Sequence, residues 1–275
     1  LGEDRIGNIK YQDDPIRMKC RQNLLDQISS GLNGKQLAPN EMVEKVYHEC
    51  VSAGIAAVMN SQWESLVKNV RDQIEKRVQE NGSTNFDISR CVVMSDVSGS
   101  MAGTPMMVSV GFGILVSELT HPAFRDIVLT FDEDPVFYSL RACINFTGKV
   151  KALMRAPWGG STNFEGAMNL IASVIEQNKL SEDEIPKSLL VVSDMQFNDA
   201  IGNSNYTKYH LRKWGTAFDN IKNMFTNLGQ RLYQKPIDPP QIIFWNVRAN
   251  TPGFPAAANE SGVTLMSGYS PALLK

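Results

Sequence analysis

Cysteine is scarce in this chain of 275 residues: four are present, Cys20, Cys50, Cys91 and Cys143, each far from the next. That spacing excludes the paired-thiol pattern of a structural zinc site and the density of a disulfide-stapled secreted domain. Buried free thiols in a reducing, intracellular (cytoplasmic) setting are expected instead. Charge of one sign is also lacking, since 27 Lys and Arg face 29 Asp and Glu for a net −2, so no global field draws the chain to nucleic acid or to anionic lipid. No apolar run approaches the roughly 20 residues needed to span a bilayer, and the opening LGEDRIGNIK is too polar for a secretory signal. A membrane partner is not expected. The three histidines, His48, His121 and His210, sit in no context that marks a catalytic base. There is no Gly-x-Ser-x-Gly elbow, and FTGKVKA lacks the upstream glycine of a phosphate-binding loop. A non-enzymatic protein is the expectation.

What is present is a folded-domain composition, 43% apolar, long enough for one large domain and a smaller appendage. The first part reads as helical. Asp14 and Pro15 begin a helix that runs to Gly31, with Ile16, Leu24, Leu25 and Ile28 as its apolar residues. Apolar residues recur at three-and-four spacing from Asn40 to Asn60, and Trp63, Leu66, Val67, Val70, Ile74 and Val78 continue the pattern. The polar run 81–90 reads as a linker, giving a helical region over 1–83 and a second unit over 84–275. The chain opens on Leu1 and closes on a cap-like Ser270–Pro271 pair, as a piece of a longer protein would.

Beyond the linker the pattern changes. Short apolar runs at 91–94, 127–131, 136–140, 189–192, 242–247 and 263–266 alternate with helical stretches at 105–119, 164–178 and about 213–228. Most of the runs are continuous, as strands buried on both faces of a mainly parallel sheet are. The 105–119 stretch is apolar nearly all round, with Thr104–Pro105 reading as its cap and first turn, and reads as a buried helix. Strands alternating with helices imply a three-layer α/β fold.

Two of the strands end alike. CVVMSD terminates in Ser95–Asp96 and LLVVSD in Ser193–Asp194, and ligands of open parallel sheets bind beyond the carboxyl ends of strands where the winding reverses. After Asp96 come Ser98 and Ser100, three oxygen-bearing side chains at alternate positions, and WGGSTNF offers Thr162 just ahead of a helix. Singly, such residues cap helices or end strands. Together, carboxylates and hydroxyls with no soft ligand suit a hard dication such as Mg²⁺.

The set Asp96, Ser98, Ser100, Thr162 and Asp194 resembles the metal-ion-dependent adhesion site (MIDAS) of von Willebrand factor A (vWA) domains, Asp-x-Ser-x-Ser, Thr, Asp, with all five positions filled. The resemblance covers about residues 88–270 and implies a Rossmann-like vWA fold. It implies that Ser98, Ser100 and Thr162 touch Mg²⁺ (or Mn²⁺ or Ca²⁺), that Asp96 and Asp194 hold it through waters, and that an Asp or Glu of a protein partner fills the open position. SDMQFND replaces the more frequent Asp-Gly after Asp194, which bears on the local loop shape. The stretches DVSGSM, GILVSEL, WGGSTNF, VVSDMQF, IIFWNV, SGYSPALLK and MNSQWESLVKNV look like the domain-of-unknown-function 2828 family. The layout, helices before such a domain, is similar to that of the Ro/TROVE ribonucleoproteins, which implies RNA as an alternative partner. Tyr206, Lys208, Tyr209, Arg212, Lys213 and Trp214 interleave aromatics with cations, as a single-stranded RNA contact does; a surface segment packing its aromatics inward explains the same run.

Overall fold

The computed structural model describes residues 8–30, 37–48, 52–81, 87–156, 163–194, 205–248 and 262–268; for residues 29, 30, 77, 78, 81 and 205–216 this concerns the backbone alone. Six strands form one sheet: β1 Cys91–Ser95, β2 Ile127–Thr130, β3 Phe137–Ser139, β4 Ser188–Ser193, β5 Gln241–Asn246 and β6 Val263–Ser267. All six fall on the apolar runs of the sequence. Their spatial order is β3-β2-β1-β4-β5-β6, with only the β2–β3 pair antiparallel. The winding therefore reverses between β1 and β4, as in Rossmann-like sheets.

The α-helices of the described residues are α1 Pro15–Ser30, α2 Pro39–His48, α3 Ala53–Asn81, α4 Thr104–Leu119, α5 Phe146–Leu153, α6 Phe164–Asn178 and α7 Asn205–Tyr233. The alternation of strand side chains sorts them into layers. Val92, Met94, Leu189, Val191, Ile242 and Phe244 pack with α6 and α7 residues such as Ile171, Ile175 and Phe225. Val93, Leu190, Val192, Ile243 and Trp245 pack on the other face with α4 and α5, and the same core continues into Met42, Val43, Trp63 and Val67 of α2 and α3. The fold is the expected mainly parallel α/β arrangement preceded by helices.

Helix α4 explains its own composition. One side lies on the sheet and the other under α2, so almost every residue from Pro105 to Leu119 is buried. Two glycines set those approaches: a Cβ at Gly111 would stand 3.0 Å from Pro39 of α2, and one at Gly113 would overlap Ser95 Oγ of β1. The helical region is further tied down around Trp63, which stacks on Phe146 at 4.0 Å between ring centroids and donates from Nε1 to Glu118 (3.0 Å). Lys149 joins Glu118 (2.7 Å) to Asp126 (2.6 Å). Burial alone would lower the Lys149 pKa, but hydrogen bonds to Asp126 and Glu118 outweigh it and raise the pKa.

Several local expectations change. The 40–60 periodicity is carried by two helices, because Ser52 opens α3: its carbonyl accepts from Ala56 N (2.9 Å) and its hydroxyl from Ile55 N (3.4 Å). Helix α4 is preceded by Gly103 at φ +91°, so Thr104 is its first residue rather than its cap. Helix α5, capped by Asn145, was hidden in the short FTGKVKAL, and α7 begins earlier and ends later than 213–228. Of the three cysteines described, Cys91 alone is buried, Cys143 is half-buried and Cys20 is exposed; Cys50 lies outside the described residues. Burial pushes the Cys91 thiol up to about 12. Among the described residues no helix is long and apolar enough to cross a membrane.

The packing of α2 on α4 can be tested at its closest point. Gly111→Val is expected to destabilise the protein by about 1–3 kcal/mol through overpacking, read as a lower midpoint in urea unfolding, whereas Ile16→Ala, at a side chain 75% exposed, should leave the midpoint within error.

Candidate metal centre

Strands β1 and β4 are direct neighbours, with Met94 opposite Val191 and Ser95 opposite Val192. The ladder continues one step further, Asp96 N donating to Val192 O (3.0 Å). Both aspartates therefore leave the sheet side by side at its carboxyl edge. Asp96 is 2% exposed and Asp194 fully buried, while Ser98 and Ser100 are half-exposed in the loop above them. Carboxylates line the floor of the site and hydroxyls its open side.

The hydroxyls do not take the ordinary role of caps. Ser98 precedes the one-turn 3-10 helix Gly99–Met101, yet its side chain makes no capping bond. Instead Ser98 Oγ lies 3.1 Å from Ser100 Oγ, and Ser100 Oγ donates to Asp194 Oδ1 at 3.4 Å. Asp96 is held at both oxygens: Oδ1 accepts from Ser98 N (2.9 Å) and Oδ2 from the Ser193 hydroxyl (2.7 Å). Ser95, the other serine before an aspartate, points away and donates to Ser109 O in α4 (3.2 Å). The two Ser-Asp pairs thus differ: Ser193 braces the carboxylate of the neighbouring strand, and Ser95 anchors the strand to its helix.

Sequence reasoning brought Asp96, Ser98, Ser100 and Asp194 to one place, and the structure places them there. Thr162 lies outside the described residues. So do the side chains of Tyr206, Lys208, Tyr209, Arg212, Lys213 and Trp214; the backbone of that stretch is part of α7. Sequence reasoning missed Arg248. Its Nη1 is 3.5 Å from Asp194 Oδ2, and its backbone N donates to Asn246 Oδ1 (2.8 Å) just past the carboxyl end of β5. Its signal emerges only with strand order: β5 lies beside β4 and so delivers its trailing residues to the same sheet edge as the two Ser-Asp strands. His121 has a structural role, its Nδ1 accepting from Ala123 N (3.3 Å) and its Nε2 lying 3.5 Å from Glu184.

The donor set fits a hard dication. Cis ligands of an octahedral Mg²⁺ at 2.0–2.1 Å stand about 2.9 Å apart, close to the Ser98–Ser100 oxygen spacing of 3.1 Å. Every donor is an oxygen; among the described residues no three His, Cys, Asp or Glu gather to hold a metal ion, so the serine hydroxyls are needed to complete the set.

Desolvation raises the Asp96 pKa from its ordinary 3.8; bonds from Ser193 and Ser98 pull it back, and the Asp194 charge pushes it up again. A carboxyl whose folded pKa exceeds its unfolded one favours folding when protonated, and that contribution is lost as pH rises from the unfolded value through the folded one. In a divalent-free buffer, stability carried by Asp96 should therefore fall as pH rises through the carboxylate range. Asp96→Asn should flatten that part of a melting-temperature profile against pH; an unchanged profile would mean Asp96 is not the titrating group.

Comparison with known proteins adds kinship without activity. A solved structure, that of the Deinococcus radiodurans RO (RSR) protein, overlaps 98% of this chain and 48% of that one at a TM-score of 0.44 and 14% identity. The uncharacterized protein L728 of Acanthamoeba polyphaga mimivirus is 32% identical over 257 residues, which is 91% of this chain and 39% of that protein, so the chain spans well under half the length of its relative. The family matched over residues 90–275 is described as Domain of unknown function (DUF7788), where the sequence resemblance had named 2828. Over residues 90–275, from β1 onward through the two Ser-Asp strand ends, this chain belongs to the DUF7788 family.

Proposed function

We propose that this protein is a non-enzymatic binding module of the vWA type, whose MIDAS holds a divalent cation and through it takes a carboxylate of a protein partner. The observation that carries the reading is the oxygen cluster at the winding reversal: two buried aspartates from adjacent parallel strands beneath a Ser98–Ser100 hydroxyl pair 3.1 Å apart. Ser98 and Ser100 would contact the cation, Asp96 and Asp194 would neutralise it, and Thr162 is the fifth residue by resemblance. Mg²⁺ fits the hydroxyl spacing, with Mn²⁺ and Ca²⁺ as alternatives of the same hard class. The cation supplies a Lewis-acidic position facing solvent, and the half-exposed side of the serines leaves that position reachable. The reading is of recognition rather than turnover, in keeping with a sequence that has no Gly-x-Ser-x-Gly elbow and no histidine in the context of a catalytic base.

RNA binding by the helical region and the 206–214 run is the other reading of the sequence, and no side-chain geometry in the described residues favours it. The two readings part on salt and chelator. Phosphate contacts weaken steeply with salt and survive chelation, whereas a carboxylate held through a cation is lost on chelation. Filter binding with total RNA, with and without chelator, therefore serves as the counter-test: retention of RNA that survives chelation and falls steeply with salt would favour the second reading.

The direct test is thermal. A cation that binds only the folded state should stabilise it by about 1–3 kcal/mol at concentrations well above its Kd. Asp96→Ala removes a holding group and one of two repelling charges, so this variant is expected to fold, to melt no lower than cation-free wild type, and to gain nothing from Mg²⁺. An Asp96→Ala protein that keeps the full Mg²⁺ increment places the ion elsewhere.

A further inference from the structure

Arg248 gives the centre a charge that the five-residue set does not account for. Its side chain is 35% exposed, while the Asp194 side chain it faces is 1% exposed, so the guanidinium stands between the buried floor and the solvent. The turn at the end of β5, closed by Asn246 Oδ1 on Arg248 N, fixes where the side chain starts, and the 3.5 Å separation from Asp194 Oδ2 is an ion-pair distance without a tight hydrogen bond. Such a contact is easily exchanged for a better acceptor.

The charge count shows what that acceptor is. Asp96 and Asp194 contribute −2 when ionised and Arg248 contributes +1, so without a cation the cluster stands at −1 and repels anions. With a dication held it stands at +1, and Asp194 no longer needs the guanidinium. We propose that Arg248 is a ligand-binding residue of this centre: with the dication in place, it turns from Asp194 to the incoming carboxylate, its two N–H donors on the two oxygens, one of which also faces the cation. This deepens the reading above and rests on it. A guanidinium fork matches a planar carboxylate, with two parallel N–H donors, which suits the Asp or Glu side chain of the reading above and couples its capture to the cation. Without the cation, Arg248 is engaged with Asp194 and the cluster charge opposes an acid.

The experiment is a Mg²⁺ titration by calorimetry at pH 7, in chloride and in acetate of equal ionic strength, acetate being the carboxylate probe. Wild type should bind Mg²⁺ more tightly in acetate, by about fivefold or more. Arg248→Met should bind Mg²⁺ more tightly than wild type in chloride, because a competing cation is gone, and should keep only the smaller acetate gain that the cation alone provides. An acetate gain that is undiminished in Arg248→Met, or is absent from wild type that does bind Mg²⁺, overturns the assignment and leaves Arg248 a structural counter-ion. If Arg248→Met does not fold, Arg248→Lys decides: it keeps the charge and loses the fork, so its gain should shrink, and an undiminished gain overturns the proposal. Wild type that binds no Mg²⁺ in either salt fails at the earlier step, defeating the cation reading itself.

Discussion

The parallel pairing of β1 with β4 is the constraint on which the rest depends. Because their register sets Ser95 against Val192, the next residues, Asp96 on one strand and Ser193–Asp194 on the other, must leave the sheet together. The winding reversal at this pair sends the connecting helices to opposite faces, so the space beyond the strand ends stays free of crossing chain. Both faces of the sheet are covered, one by α4 and α5 and the other by α6 and α7, which sinks the strand ends and their carboxylates into low-dielectric surroundings. Topology alone thus assembles two acids in a place where acids are costly.

What offsets that cost is local and directional. An ionised carboxylate taken from water needs donors or a counter-charge, and each aspartate has them. Asp96 accepts from a backbone N–H and a hydroxyl, and Asp194 faces the Ser100 hydroxyl and the Arg248 guanidinium. The raised Asp96 pKa shows that its donors do not fully offset burial and the second charge. A cluster balanced this way responds to any added positive charge, and this makes the proposed dication a physical complement to the fold.

Legibility in the sequence followed the physics of each signal. Strands were readable because burial on both faces leaves continuous apolar runs such as IIFWN, with no competing helical period. The all-round apolar composition of α4 gave its burial for the same reason. The α2–α3 break was hidden because Val43, Val46, Tyr47, Cys50, Val51, Gly54, Ile55 and Val58 keep the three-and-four spacing across it, while the signal that divides them is a single capping serine, Ser52. Helix α5 is only eight residues long and contains a glycine, too short for periodicity to accumulate. In the site, Asp96, Ser98, Ser100 and Asp194 were legible because their spacing is local to two strand ends. Arg248 was not, since its link to Asp194 crosses from β5 to β4 and exists only once strand order is known.

The same constraint reaches beyond the site. Ser95 hydrogen-bonds Ser109 O of α4 and leaves no room for a side chain at Gly113, one turn further on. Two residues away, Gly111 faces the other way and admits Pro39 of α2, while α4 itself begins three residues after Met101 closes the serine loop. A single helix is therefore gripped by the strand that carries Asp96, by the loop that carries Ser98 and Ser100, and by the helical region that precedes the sheet. Interiors packed at this closeness transmit displacement instead of absorbing it. The helical region thus packs on the same helix that follows the serine loop, even though no residue of α2 or α3 has a place in the proposed donor set.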